Sequence, residues 1–180
     1  MRVTPIALAT RLPRGYPARW RWRTLFEAPH RLAFAAAVLL LAASAQWWAA
    51  LQLAREAGIA VHSALPPSIV HGLVMGLGFM PLFFTGFMFT AGPRWLAVAP
   101  VAAARLLPAI TAQLAGWGVF MLAAHGRDVA FGETLGALSL AAVACGWFMN
   151  WLAFRRLLRV STVADKLHAR ILLAASLVGL

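Results

Sequence analysis

A chain of 180 residues that is 62% hydrophobic and only 12% charged, with a mean hydropathy of +0.78, departs far from the composition of a soluble domain and points to lipid as its solvent. Its net charge of +11 is almost all arginine, but the arginines fall between long apolar runs and form no continuous basic stripe, so a membrane surface is favoured over nucleic acid. The one cysteine, Cys145, excludes an internal disulfide.

Up to Phe26 the chain is polar and basic. Pro5, Pro13, Gly15 and Pro17 interrupt helix, and Trp20 and Trp22 alternate with Arg19, Arg21 and Arg23. This segment reads as a tail against the headgroups, and it lacks the apolar core and small-residue site of a cleavable signal peptide. The first apolar run spans 32–54; at about 1.5 Å per residue it crosses a hydrocarbon core of roughly 30 Å. After a polar link, Pro66-Pro67 opens a second span at 68–91, with proline tolerated at a helix start. Pro81 inside that span removes a backbone hydrogen bond and predicts a kink. Gly92-Pro93-Arg94-Trp95 closes it. A third span is predicted at 106–124 and a fourth at 131–154, ending at the Arg155-Arg156-Leu157-Leu158-Arg159 cluster. A fifth, 169–180, is too short to cross and reads as a helix cut short, as in a fragment of a longer protein. The predicted fold is an all-α polytopic bundle, with a tail at 1–26 and a transmembrane domain at 27–180.

Basic residues test this layout, because cytoplasmic segments hold the excess of arginine and lysine. The tail through Arg31, the second-to-third link and the fourth-to-fifth link together carry fourteen, whereas the other two links carry only Arg55 and Arg127. The amino terminus is therefore expected in the cytoplasm.

That assignment places the histidines. His30 and His168 fall at cytoplasmic helix ends, and His62 and His125 in outer links. His71 alone lies within a span, fourth from its outer end and about 5 Å deep, and an ionisable group there is a functional candidate by default. Neutral imidazole ligates heme iron and copper when its second nitrogen is held by a partner. Gly72 and Gly76 beside His71 leave space either for a flat macrocycle or for a neighbouring helix, since Gly72–Gly76 and Gly132–Gly136 are both small-xxx-small pairs. His30 and His71, on opposite faces, cannot share one heme. An inner site would join His30 and His168; an outer one would join His71 with His125, His62 or a ligand elsewhere. Interfacial histidines without ligand are the plain alternative. Cys145 and Met149, four apart on one helix face, have copper(I) spacing but are more often filler. No phosphate loop, nucleophile triad or metalloprotease helix is present, and no catalytic residue is assigned.

Several motifs together resemble the NnrS family: Leu25-Phe26-Glu27-Ala28-Pro29-His30-Arg31, Leu65-Pro66-Pro67, His71-Gly72, Gly86-Phe87, Thr90-Ala91-Gly92-Pro93-Arg94-Trp95 and Asp165-Lys166-Leu167-His168-Ala169-Arg170. The resemblance implies a polytopic inner-membrane protein containing heme, of the b type, and copper, and linked to nitric oxide metabolism and nitrosative stress. It implies that the chain matches the amino-terminal part of a protein of about a dozen helices, a count taken from the family, and that His30, His71 and His168 are the cofactor- and metal-binding candidates, heme and copper not being apportioned among them. Leu73 and Val74 depart from the His-x-His-Glu pattern of many members, which weakens a multi-ligand metal site at His71. The expected partners are the bilayer, heme, nitric oxide, and a second copy or other membrane subunits, with no nucleic acid. A permease-like or structural membrane protein without metal, and a membrane electron-transfer heme subunit, are the competing readings.

Overall fold

Pro29 fits the first turn of a helix, where its missing N–H is not needed, and it opens α1 (Pro29–Glu56) in a computed structural model that describes residues 21–177. A 3₁₀ turn at Trp22–Glu27 precedes it, held to α1 by the Glu27–Arg31 ion pair at 2.8 Å. Of the expected tail 1–26, residues 1–20 lie outside the described residues. Leu32, Ala33, Ala36, Ala37, Leu40 and Ser44 form the buried stripe of α1 at helical spacing, while Val38 and Leu39 on the far side remain exposed. Apolar residues on both faces are what a helix needs between a protein core and lipid.

α2 (Pro67–Trp95) also begins on proline, and where the sequence predicts a kink at Pro81 it carries a π segment, Val74–Phe79. The N–H of Met80 bonds to the carbonyl of Met75, five residues back. The wider turn moves backbone carbonyls away from the Pro81 ring, so the helix continues instead of breaking. Pro93 is likewise inside the helix, which therefore runs beyond the predicted end at 91.

α3 (Ala103–Ala123) and α4 (Val129–Val160) form an antiparallel pair, and α5 (Leu167–Ala175) follows. Asp128 caps α4 by accepting the Phe131 N–H at 3.0 Å. α3 packs on α1 as well as on α4, and α2 packs on α1 and α4, so one core containing Phe89, Leu106, Ile110, Trp117 and Phe154 serves all four long helices. The helices are long and apolar enough to cross a membrane, and the described residues contain no strand. Each overshoots its predicted start, and three overshoot their predicted ends, because the terminal turns carry charge or proline yet stay helical. The last three residues of the expected fifth span, 178–180, lie outside the described residues.

Backbones approach at glycines that differ from the predicted pairs. A Cβ on Gly116 would stand 2.6 Å from the Ser139 carbonyl, and one on Gly146 2.5 Å from the Ala109 carbonyl, so α3 and α4 touch there. Gly72, Gly76 and Gly136 have open space beside them, and Gly132 has only an ordinary contact with the Ala123 carbonyl. The small-xxx-small pairs expected to join helices therefore do not join the described ones.

Candidate functional site

α1 and α2 place His71 against the middle of α1. Its Nδ1 lies 3.0 Å from Oγ of Ser44, which is fully buried, and the Trp48 ring stacks on the imidazole at 5.1 Å between centroids and 21° between planes. Ser44 and Trp48 are one helical turn apart and present one face to His71. The serine fixes one ring nitrogen and the indole fixes the ring plane, leaving Nε2 without a described hydrogen-bond partner. Gly72, next to it in the chain, has open space beside it, and Gly76 borders a separate cavity farther along α2. Ser44 was not singled out by sequence; a lone serine at the centre of an alanine-leucine run was the available signal.

His125 and His62 form a second cluster at the same end of the bundle. The Trp47 indole N–H donates to His125 Nε2 at 2.8 Å. The His125 proton must then sit on Nδ1, which donates to the His62 carbonyl at 2.7 Å. His62 Nε2 donates to the Gly126 carbonyl at 3.1 Å, and the Ala64 N–H to the Ala124 carbonyl at 2.8 Å. Both nitrogens of His125 are thus occupied, one tying the α3–α4 link to α1 and the other to the α1–α2 link. Trp47 and Trp48 take different histidines, so the considered pairing of His71 with His125 is not formed.

His30 is half-buried in the first turn of α1, with Phe34 tilted against it at 6.3 Å. Ser44, the partner of His71, stands fourteen residues farther along α1, about 21 Å by helical rise. His30 and His71 therefore occupy separate depths. His168 is exposed and borders a cavity of about 370 Å³ with Trp95, Leu96, Asp165, Lys166 and Ala169. Its neighbours have structural tasks: Asp165 accepts the Leu167 N–H at 2.9 Å to start α5, and Lys166 Nζ bonds the carbonyls of Leu158 and Ser161 at the end of α4. No described contact joins His30 to His168.

Deeper in the bundle, the Thr85 hydroxyl donates to the Pro81 carbonyl at 2.8 Å and accepts from Asn150 Nδ2 at 3.3 Å. This buried link ties α2, just after its π segment, to α4. Thr85 and Asn150 border a cavity of about 510 Å³ with Gly76, Met80, Phe84 and Trp151. Neither residue was anticipated as a pair, because their partnership spans 65 positions in sequence.

A family model described as NnrS protein matches residues 24–180. The chain belongs to the NnrS family. No curated protein and no solved structure matches it. Within this NnrS chain, the matched region covers the helical bundle and all three histidines carried by the motifs. His71 could hold heme iron: it has a buried partner on one nitrogen, no described hydrogen bond on the other, and open space beside Gly72. The residues present do not fit copper, since no three His, Cys, Asp or Glu side chains gather among the described residues, and Cys145 and Met149 are both exposed.

Proposed function

We propose that this membrane protein binds heme b through His71 and acts in nitric oxide metabolism or the response to nitrosative stress, from the bacterial inner membrane with its amino terminus in the cytoplasm. The observation that carries the reading is the Ser44–His71 hydrogen bond inside a membrane span. A histidine there is costly unless it serves a site, and a metal-bound histidine has its other ring nitrogen held in this manner. In the ligand tautomer, Nδ1–H donates to Ser44 and Nε2 keeps its lone pair for iron. Trp48 holds the ring plane by stacking. Heme, when bound, supplies an iron position able to take a diatomic ligand such as nitric oxide. The family's link to nitric oxide supports that ligand, and His30 and His168, lying elsewhere, stand as candidates for a second site. Copper belongs to the reading only through the family, and no role is built on it.

The test is the visible spectrum of the purified full chain reconstituted with heme. The wild-type chain should give a Soret band that His71→Ala abolishes or shifts, and Ser44→Ala should weaken heme binding by about ten- to hundredfold, the usual cost of removing a ligand's orienting partner. A band unchanged by His71→Ala would remove His71 as axial ligand.

A further inference from the structure

The basic end of the bundle gathers ten described arginines and lysines against two acidic residues, Glu27 and Asp165. Several of these cations are committed. Arg31 pairs with Glu27, Arg155 lies over the Trp151 ring at 5.3 Å, and Lys166 bonds carbonyls of the α4 end. The guanidiniums of Arg105 and Arg156 have neither an ion pair nor a hydrogen bond among the described residues, yet both residues border the same cleft of about 380 Å³. α3 supplies Arg105, Leu106 and Ala109, and α4 supplies Met149, Asn150, Leu152, Ala153 and Arg156. No carboxylate lines the cleft.

Its shape is graded along the membrane normal. Arg105 is in the first turn of α3, which no side chain caps, so free backbone N–H groups add positive character at the mouth. Ala109 lies one turn deeper, about 6 Å, and on α4 Ala153 and Met149 lie about 5 and 10 Å deeper than Arg156. Arg156 thus stands over an apolar slot that runs towards the bilayer centre, and Arg105, about level with Asn150, flanks that slot from α3. Guanidinium forks match phosphate oxygens, and a phosphate that carries an acyl chain matches the slot beneath them. Basic pockets between membrane helices are where anionic headgroups are held.

We propose that the α3–α4 cleft is a binding site for an anionic phospholipid, with Arg105 and Arg156 on the phosphate and an acyl chain along Leu106, Ala109, Met149 and Ala153. The two positive charges and the absence of an acid select an anionic over a zwitterionic headgroup.

Native mass spectrometry of the full chain, titrated in detergent with phosphatidylglycerol, phosphatidylcholine or glycerol phosphate, tests this. One phosphatidylglycerol should be retained per chain, and phosphatidylcholine should be lost first. Arg105→Gln with Arg156→Gln should weaken phosphatidylglycerol by about thirtyfold, each arginine beside anionic lipid contributing about a factor of five. Arg94→Gln with Arg159→Gln removes the same charge outside the cleft and should leave retention unchanged. Ala153→Trp fills the slot while keeping both arginines, and should also release the lipid; unaltered helical circular dichroism in each variant shows that the fold is kept. Equal retention of phosphatidylcholine, equal loss in the Arg94/Arg159 pair, or protection by glycerol phosphate as strong as by the lipid would each overturn the proposal.

Discussion

Ala97 and Gly58 end two helices in the same way with different residues. After α1, Gly58 has φ +70, its N–H bonds the Arg55 carbonyl, and the Ile59 N–H bonds the Ala54 carbonyl. After α2, Ala97 takes φ 50 with the matching pair of bonds, to Arg94 from its own N–H and to Pro93 from Val98. Both are left-handed caps of the kind glycine suits, and a Cβ in that conformation costs about 1 kcal/mol. Ala97→Gly should therefore raise stability by about that amount, and Gly58→Ala lower it similarly. Thermal unfolding in detergent, followed by tryptophan fluorescence, checks both directions. The histidines show the same dependence on partners. His71 and His125 are chemically alike in the sequence, and only the choice of Trp48 with Ser44, or of Trp47 with the His62 carbonyl, separates a ring with a free nitrogen from one with none.

Glycines divide the helices into faces already filled and faces left open. Gly146→Leu should drive α3 from α4, because its side chain would enter the Ala109 carbonyl and Gln113, and a loss of about 1–3 kcal/mol is the usual scale of such overpacking. Gly72→Leu meets no described atom at Cβ and should leave unfolding temperature unchanged while lowering heme retention beside His71. Comparing melting and Soret absorbance for the two variants separates a packing glycine from a site glycine. This division was hidden in the sequence, where Gly72–Gly76 is a glycine pair at small-xxx-small spacing and Gly146 has only Ala142 four residues before it. The four spans themselves were legible, since runs of uncharged apolar residues long enough to cross lipid have few other uses. Their ends were not, because hydropathy stops at Arg155 whereas the hydrogen-bonded helix continues to Val160. Pro81 signalled a disturbance in α2, but its form as a π segment depends on backbone bonding that side-chain pattern does not encode. His71 was legible as an intramembrane ionisable group; its Ser44 partner, 27 positions away on another helix, was not.

The whole molecule is electrically lopsided. The end holding Arg55 and Arg127 also carries Glu56, Asp128 and Glu133, and the opposite end carries nearly all remaining charge. Under the positive-inside bias, a cysteine placed at Arg127 in a Cys145→Ser background should react with an impermeant maleimide from outside intact cells, and one at Arg159 only after lysis. Labelling at Arg159 in intact cells would reverse the assigned orientation.

α4 is longer than its partner: 32 residues against 21 in α3. Because Gly146 meets Ala109, six positions from the start of α3, the α4 backbone runs past the first residue of α3 from about Leu152 to Val160, roughly 13 Å, although the side chains of Leu152, Ala153 and Arg156 still border the cleft with Arg105. α3 matches a hydrocarbon layer of about 30 Å, so this projection lies where lipid gives way to water. A thicker bilayer would engulf Arg155 and Arg156 unless the pair tilted, at a cost of fractions of a kcal/mol per Å of mismatch. Membrane thickness would thereby bear on how this chain sits, since carrying the arginines of α4 into hydrocarbon is costly.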